Sequence, residues 1–298
     1  MAGGVQRVYR QRITSTQKLK KVFRAQELIA ASRIGAARTR VSQATPFAQA
    51  ITQAVSALAA HARVEHPLVE ARHDTDRVAV LVVVADRGMA GSYTAANIRE
   101  TDRLLATLRA QGHVIDLYVA GRRAVAHYSY RGYDLKRSWV YGSDRPEQEV
   151  ATEIADTLLA AFAAPADQGG VAELHVVYTQ FVNMVTQTPR VVRMLPLEVV
   201  AHYSQTEEIE PLYEFEPSAP EVLDALLPRY VRSRLFSFLL ESAASELASR
   251  QRAMRTATDN AEELIRNYTR LANQARQSEI TQEISEIVSG ADALAVGK

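Results

Sequence analysis

The longest uninterrupted hydrophobic pattern runs through residues 229–289, which contain neither glycine nor proline. As one helix, these 61 residues would extend roughly 90 Å, at about 1.5 Å of rise per residue. Helices in globular proteins average about 11–12 residues, so this length indicates a coiled coil, a membrane span or a helical repeat. The segment is too polar to cross a membrane and shows no internal repeat. We therefore interpret it as one helix of a coiled coil.

The predicted apolar seam of this helix changes in side-chain size along its length. Its members are Leu235, Phe238 and Leu239, then Ala243, Ala244, Ala248, Ala253, Ala257 and Ala261, then Leu264, Tyr268, Leu271, Ala275, Ile280, Ile284 and Ile287. The stretch of small residues would let a second helix approach closely.

A second long helix is predicted over residues 5–60, where Pro46 is expected either to bend the helix or to interrupt it. Its predicted apolar positions are Leu19, Val22, Phe23, Ile29, Ala30, Ile34, Phe47, Ile51, Val55 and Leu58. No other helix of comparable length is predicted, so the two chain ends are expected to pair in an antiparallel or irregular manner.

Strand and helix patterns alternate over residues 75–200, which predicts a small doubly wound sheet. The predicted strands are Val78–Ala85, Val114–Ala120, Val171–Thr179 and Arg190–Pro196, and the predicted helices are Tyr93–Gln111, Arg122–Tyr130 and Glu147–Phe162. The fold class is therefore α/β plus a long coiled coil, with a small Rossmann-like domain inserted between the two long helices.

Charge is distributed unevenly, although the formal net charge is only +1. Residues 1–40 contain ten Lys or Arg and a single acid, Glu27. This bias suits a solvated helix face, an acidic docking partner or a nucleic-acid-binding arm. The small net charge gives no general indication of a nucleic-acid partner.

The absence of cysteine excludes disulfides, thiolate catalysis and Cys-ligated metals. Residues 1–12 are polar and basic, so no secretory signal is expected there. The longest apolar run, Val78–Ala85, is too short to span a bilayer, and any membrane association is expected to be peripheral and through a partner.

Catalytic motifs are not found in the sequence. It contains no GxxxxGK[ST] loop, HExxH motif or EF-hand loop, and the seven histidines lack metal-ligand spacing. The turn Asp86–Gly91 follows a predicted strand, as in dinucleotide-binding folds. It has only GxxG, however, so we favour a structural role, with both glycines supplying positive φ angles. No catalytic residue, cofactor or metal site is predicted.

Three segments resemble the gamma subunit of F-type ATP synthases. They are Lys20–Ile34, similar to the family pattern KKITKAxEhhAxS+h; Asp86–Gly91, similar to SDRGLCG; and Arg252–Gly290, similar to M+xATxNA followed by hNxxRQxxITxEhxEIhxG. These matches span both ends and the middle of the chain. Phe23, Arg24 and Gln26 depart from the usual family residues, and the cysteine-bearing regulatory insertion of plastid relatives is absent.

The resemblance implies the central rotor of a proton-translocating ATP synthase, which has no active site of its own. Its implied partners are the alpha and beta subunits, the epsilon subunit and the c-ring, through which alone it would meet the cytoplasmic side of the cell membrane. Residues 1–65 and 216–298 would form the antiparallel coiled-coil shaft, with residues 66–215 as the globular domain.

The resemblance also implies contact residues. The implied contacts with beta are Arg276, Gln277, Thr281, Glu283, Lys20, Lys21 and Arg24, and those with the c-ring or epsilon are Tyr213 and Glu216. Two alternatives remain open at this point. One is an enzyme that binds a nucleotide at Gly88–Gly91, and the other is a coiled-coil scaffold or nucleic-acid arm built on the basic N-terminal segment.

Overall fold

Two long helices and a five-stranded sheet make up the structure, a computed structural model that describes residues 2–61, 68–70, 72–197, 216 and 218–296. Helix α1 spans Ala2–His61 and helix α5 spans Ala219–Val296. The chain divides into two compact units. We call Met1–Ala30 with Gln251–Lys298 the terminal unit, and Ala31–Arg250 the central unit.

The central unit contains a sheet in the order β3-β2-β1-β4-β5. Its strands are β1 (Arg77–Val83), β2 (Val114–Ala120), β3 (Leu135–Trp139), β4 (Glu173–Phe181) and β5 (Gln187–Leu195). The first four strands run parallel, whereas β5 pairs antiparallel with β4. Strand β1 lies in the middle, which agrees with its continuous run of buried branched residues.

Helices cover both faces of this sheet. Helices α2 (Tyr93–Ala110) and α3 (Arg122–Tyr130) pack on the face that carries the even-numbered valines of β1. Helix α4 (Gln148–Ala163) and parts of α1 and α5 pack on the opposite face. Strands β1, β2 and β4 therefore bury both of their sides, and the fold is the predicted α/β sheet with long terminal helices.

Gly121 marks a close approach between the segments that follow β1 and β2. Its φ angle is 116°, and a Cβ added there would lie 2.2 Å from the carbonyl oxygen of Val84. Only glycine fits this position, which lets α3 start directly after β2.

Two differences from the predicted elements have local physical causes. Strand β3 was not predicted, because its residues Leu135–Trp139 are largely polar and lie at an edge of the sheet. Helix α5 begins at Ala219 and continues through Pro228, and α1 likewise continues through Pro46. Pro46 lies on an exposed face, where water can satisfy the carbonyl that loses its backbone partner.

The least exposed positions of α1 recur with alternating spacings of four and three residues, as in a coiled coil. They are Tyr9, Ile13, Thr16, Lys20, Phe23, Glu27, Ala30, Ile34, Ala37, Val41, Ala44, Ala48, Ile51, Val55 and Leu58. Leu19, Val22, Ile29 and Phe47, which were predicted to face the seam, are exposed. The prediction was wrong there because it followed hydrophobicity, whereas polar Thr16, Lys20 and Glu27 occupy seam positions.

Within the terminal unit the two helices pair antiparallel. The rings of Tyr9 and Tyr268 lie 6.3 Å apart, and Lys20 Nζ lies 2.6 Å from Glu262 Oε1. Because Tyr9 lies opposite Tyr268, the start of α1 lies opposite the region around Ala275. The following turns of α5 therefore have no helix opposite them among the described residues.

That geometry corrects the predicted seam of α5. Ile280, Ile284 and Ile287 are exposed, and Leu264 is 46% exposed, whereas its neighbour Ile265 is partly buried. In the central unit the small seam residues Ala244 and Ala248 are buried against Ile34 and Ala37, as predicted for a close approach of the helices.

Candidate subunit-contact sites

The four candidate beta contacts on α5 are all exposed. Arg276 and Gln277 are consecutive residues, and Thr281 and Glu283 follow within two turns of the helix. The Thr281 hydroxyl donates a hydrogen bond to the carbonyl oxygen of Gln277, 2.9 Å away. At helical spacing Gln277 and Thr281 share one side, and Arg276 shares a side with Glu283. The four residues thus lie on two sides of α5, within about two turns of the helix.

Apolar side chains lie on the same turns. Ile280, Ile284, Ile287 and Val288 are 45–71% exposed. Their spacing places them along one stripe beside the polar candidates. An exposed stripe of this kind suits a contact with another protein. The end of α5 therefore presents a mixed surface, in which directional polar groups accompany an apolar stripe.

The basic candidates on α1 differ from one another in their partners. Lys20 pairs with Glu262, and Arg24 Nη1 lies 2.9 Å from Glu27 Oε2. The hydrogen bond and the charge of Lys20 lower the pKa of Glu262. Lys21 is exposed and makes no ion pair within the described residues. Two of the three candidates therefore already have acidic partners in this chain, which the sequence analysis had not foreseen.

Of the two candidates for contact with the c-ring or epsilon, only one belongs to the described residues. Tyr213 lies outside the described residues, whereas Glu216 is described and exposed. The structure therefore neither joins nor separates this pair.

The turn after β1 owes its conformation to Asp86 more than to its glycines. Asp86 Oδ2 accepts hydrogen bonds from the backbone N–H groups of Tyr141, Gly142 and Ser143, and its Oδ1 accepts one from the N–H of Arg122. Carboxylates that accept several backbone hydrogen bonds fix the loops around them.

The glycine prediction in this turn was partly wrong. Gly91 has the expected positive φ of 58°, but the second residue with positive φ is Met89, at 63°, and not Gly88.

The crevice where dinucleotides bind to open α/β sheets is filled by α5 in this chain. That crevice lies at the carboxyl ends of the strands where the strand order reverses, here between β1 and β4. The Ser242 hydroxyl accepts a hydrogen bond from Thr179 N–H, and the Ser245 hydroxyl donates one to the Thr179 carbonyl. A helix in this position removes the geometric basis of the nucleotide alternative at Gly88–Gly91.

Glu246 and Arg250 form a buried ion pair on the same stretch of α5. Arg250 Nη2 lies 2.5 Å from Glu246 Oε1 and also donates to the carbonyl oxygens of Arg87 and Gly88, at 3.4 and 3.3 Å. Burial raises the pKa of Glu246, and the charge of Arg250 is the largest opposing influence. Glu246 Oε2 has no hydrogen-bond partner among the described residues. This pair was not predicted from the sequence, although a Glu and an Arg four residues apart beside the alanine stretch were a usable signal.

Two features are absent from the part of the chain that the structure describes. No helix there is both long and apolar enough to cross a membrane. No group of three or more His, Cys, Asp or Glu side chains there is arranged to hold a metal ion.

Comparison with known proteins identifies the family. A family model described as ATP synthase matches residues 6–294. The chain is 62% identical to the ATP synthase gamma chain of Beutenbergia cavernae, over 98% of this chain and 99% of the relative. It is 55% identical to the ATP synthase gamma chain of Kineococcus radiotolerans, over 99% and 98% of the two chains. This chain belongs to the ATP synthase gamma chain family, which confirms the resemblance and the prediction of a non-catalytic subunit of an enzyme complex.

Solved structures agree on the fold. A chain from the Euglena gracilis mitochondrial ATP synthase (OSCP/F1/c-ring, rotational state 3) superposes with a TM-score of 0.69 at 14% identity, covering 99% of this chain and 96% of that one. A chain from the Tetrahymena thermophila mitochondrial ATP synthase central stalk and c-ring gives a TM-score of 0.55 at 21% identity, covering 79% and 99%. The predicted combination of sheet and long terminal helices is therefore confirmed.

Proposed function

We propose that this chain is the central rotor-stalk subunit of a proton-translocating ATP synthase. It couples rotation of the c-ring to conformational change in the catalytic beta subunits, which make ATP from ADP and phosphate. The same coupling runs in reverse during ATP hydrolysis, so the subunit also regulates ATPase activity and proton flow. The observation that carries the proposal is the match to ATP synthase gamma chains along nearly the whole chain.

The partners follow from that function. The shaft enters a hexamer of alpha and beta subunits, and the globular domain meets epsilon and the c-ring. We place the complex at the cell membrane, with this subunit peripheral on the cytoplasmic side and in touch with the membrane only through the c-ring. The division into residues 1–65, 66–215 and 216–298 assigns the first and last segments to the shaft and the middle one to the globular domain.

The end of α5 is the proposed contact with beta. Arg276 and Gln277 would bind a beta loop through their side chains, with Thr281 and Glu283 one to two turns further along. All four are exposed, so contact requires no rearrangement of this chain. On α1, Lys21 could bind beta without breaking an ion pair among the described residues. Lys20 and Arg24 would first have to break their ion pairs with Glu262 and Glu27. Tyr213 and Glu216 are the proposed contacts at the c-ring or epsilon end.

A double variant tests the beta contact. Arg276→Ala with Gln277→Ala should lower ATP synthesis by membrane vesicles, because it removes polar contacts without disturbing a buried side chain. The matched control is Arg270→Ala with Gln274→Ala, which removes the same residue types from exposed positions earlier on α5. Synthesis should be measured at equal amounts of assembled complex.

The results separate the site from the function. Wild-type synthesis in the Arg276 and Gln277 variant would remove these residues from the contact. If the chain fails to co-purify with alpha and beta subunits from its native membrane, the proposed function itself is wrong.

A further inference from the structure

The carboxyl end of strand β1 is tied to both long helices within the central unit. Asp86, three residues after the end of β1, holds the loop 141–144 through three backbone N–H groups, at 2.7 to 3.3 Å. The Ser143 hydroxyl of this loop in turn accepts a hydrogen bond from Asp86 N–H at 2.8 Å. The turn and the loop therefore form one rigid piece at the end of the sheet.

This piece contacts α5 through charged and polar groups. The Arg250 guanidinium binds the carbonyl oxygens of Arg87 and Gly88 in the turn and the carboxylate of Glu246 on its own helix. Glu246 is 1% exposed and Arg250 is 7% exposed. Both charges are therefore withdrawn from water, and each depends on the other for compensation.

The same piece contacts α1 at its surface. Asp144, the last residue of the loop, makes an ion pair with Arg33 of α1. Asp144 is largely buried, whereas half of the Arg33 side chain is exposed. The end of β1 is thus joined to one helix by a buried contact and to the other by a partly exposed one.

Hydrogen bonds and apolar packing hold α5 to the sheet in different ways. Phe238 stacks on Tyr178 with ring centroids 4.2 Å apart, and this packing resists separation of α5 from the sheet. Interdigitated apolar side chains also oppose sliding of a helix, but they contain no bond of fixed direction. Charge-assisted hydrogen bonds have strict distance and angle requirements, so they fix the rotational setting of a helix.

We propose that Asp86, Glu246 and Arg250 form a torque-bearing joint that fixes the rotational setting of α5 against the sheet. Rotation applied to the globular domain then reaches the shaft helix without slippage. The three side chains are positioning residues. Arg250, paired with Glu246, binds α5 to the turn, and Asp86 binds that turn to the loop 141–144. This inference rests on the proposed rotor function. It gives the turn 86–91 a mechanical role in place of the nucleotide binding that was considered above.

The test uses the intact complex in sealed membrane vesicles. Proton pumping per ATP hydrolysed should fall in Asp86→Ala and in Arg250→Ala, because each change removes hydrogen bonds that hold the turn or α5 in place. Asp86→Asn and Arg250→Lys preserve size and part of the bonding, so they should fold and show an intermediate loss. The control is Arg232→Ala, which removes an exposed ion pair between α5 and Asp156 of α4 and should leave the ratio unchanged.

A second readout separates the joint from a general loss of stability. A bead attached to the globular domain, with the shaft held in the hexamer, should show wider angular fluctuations in Arg250→Lys than in Arg232→Ala. Wild-type fluctuations and a wild-type pumping ratio in assembled Asp86→Asn and Arg250→Lys complexes would overturn the joint alone. Pumping by a complex that lacks this chain would instead overturn the rotor function on which the joint rests.

Discussion

The central unit and the terminal unit differ in the interactions that stabilise each of them. In the central unit, strands β1, β2 and β4 are almost completely buried between helices on two faces. In the terminal unit, two helices share a narrow seam that includes Thr16, Lys20 and Glu27, and most other side chains are exposed. Burial of apolar area is the main source of folding free energy. The central unit is therefore expected to be much the more stable of the two.

The difference fits a division of labour within a rotor. A domain that receives force must keep its shape, and the buried sheet with its tie to α5 provides that rigidity. A shaft inside a ring of other subunits must offer its surface to them, so its side chains remain exposed. Because its seam is partly polar, the terminal unit is expected to be less stable alone. Contacts with the surrounding subunits would stabilise it in the complex.

The largest expected effect comes from the core of the central unit. Phe238→Ala should lower the free energy of unfolding by about 3–5 kcal/mol, because it empties a fully buried site stacked on Tyr178. Trp139 is the only tryptophan and lies buried in this unit, so its fluorescence during urea unfolding reports the change. The control is Leu264→Ala in the terminal unit, which should stay within about 0.5 kcal/mol. Similar losses in both variants would break the comparison.

Replacing a charged seam residue in the terminal unit should raise the free energy of unfolding, whereas the core substitution lowers it. Glu27→Leu puts an apolar side chain at a position that is only 8% exposed. It should stabilise the helix pair by about 1–2 kcal/mol, because burying a leucine is favourable and the lost partner Arg24 is mostly exposed. Slower amide hydrogen exchange in residues 251–270 would report this gain. Glu263→Leu, at an exposed position of α5, is the control, and faster exchange in Glu27→Leu would refute the seam assignment.

Alkaline pH should weaken the central unit through its buried tyrosines. Burial raises the pKa of Tyr178 to about 12. The same cause raises the pKa of Tyr93, Tyr128 and Tyr141. A raised folded-state pKa means that folding favours the protonated phenol. The stability contribution is therefore complete below about pH 10, the value in the unfolded chain, and falls as pH rises above it.

One substitution isolates the share of Tyr178 in that loss. Its contribution should fall by up to about 1.4 kcal/mol for each pH unit between 10 and 12. Urea unfolding followed by circular dichroism should show a shallower pH dependence in Tyr178→Phe than in the natural sequence. Equal slopes in the two proteins would show that ionisation of this phenol is not opposed by folding.

The smallest expected effect is on the surface ion pair of the terminal unit. Lys20→Ala should change stability less than any of the substitutions above, because the pair with Glu262 is substantially exposed to solvent. The same measurement in high salt should remove most of that difference. An effect as large as that of Phe238→Ala would mean that the terminal unit is held mainly by charge.

Much of the fold could be predicted because its pattern is local. Strand β2 and helix α3 have the predicted bounds, and the apolar run of β1 predicted a buried strand, which the structure confirms. Strand β3 could not be recognised, since an edge strand with Lys136 and Arg137 carries no buried alternation. Helix α5 begins before the Gly- and Pro-free stretch 229–289 on which its prediction was based, and it includes Pro228.

The site was less predictable because it depends on contacts between distant segments. The resemblance supplied Arg276 and Gln277, and the structure shows only that they are exposed together. The tie of Asp86 to loop 141–144 joins residues more than fifty positions apart, and no periodicity encodes it. Similarly, Lys20 was predicted as a partner contact, while its pairing with Glu262 depends on the helix register.

Direct observation of rotation tests the rotor function most directly. The chain contains no cysteine, so Tyr130→Cys at a site that is 93% exposed on α3 gives a single attachment point in this subunit. A bead fixed there, on a complex of this chain with its alpha and beta subunits anchored to a surface, should rotate in one direction when ATP is supplied. Continued ATP hydrolysis with a stationary bead would contradict the account.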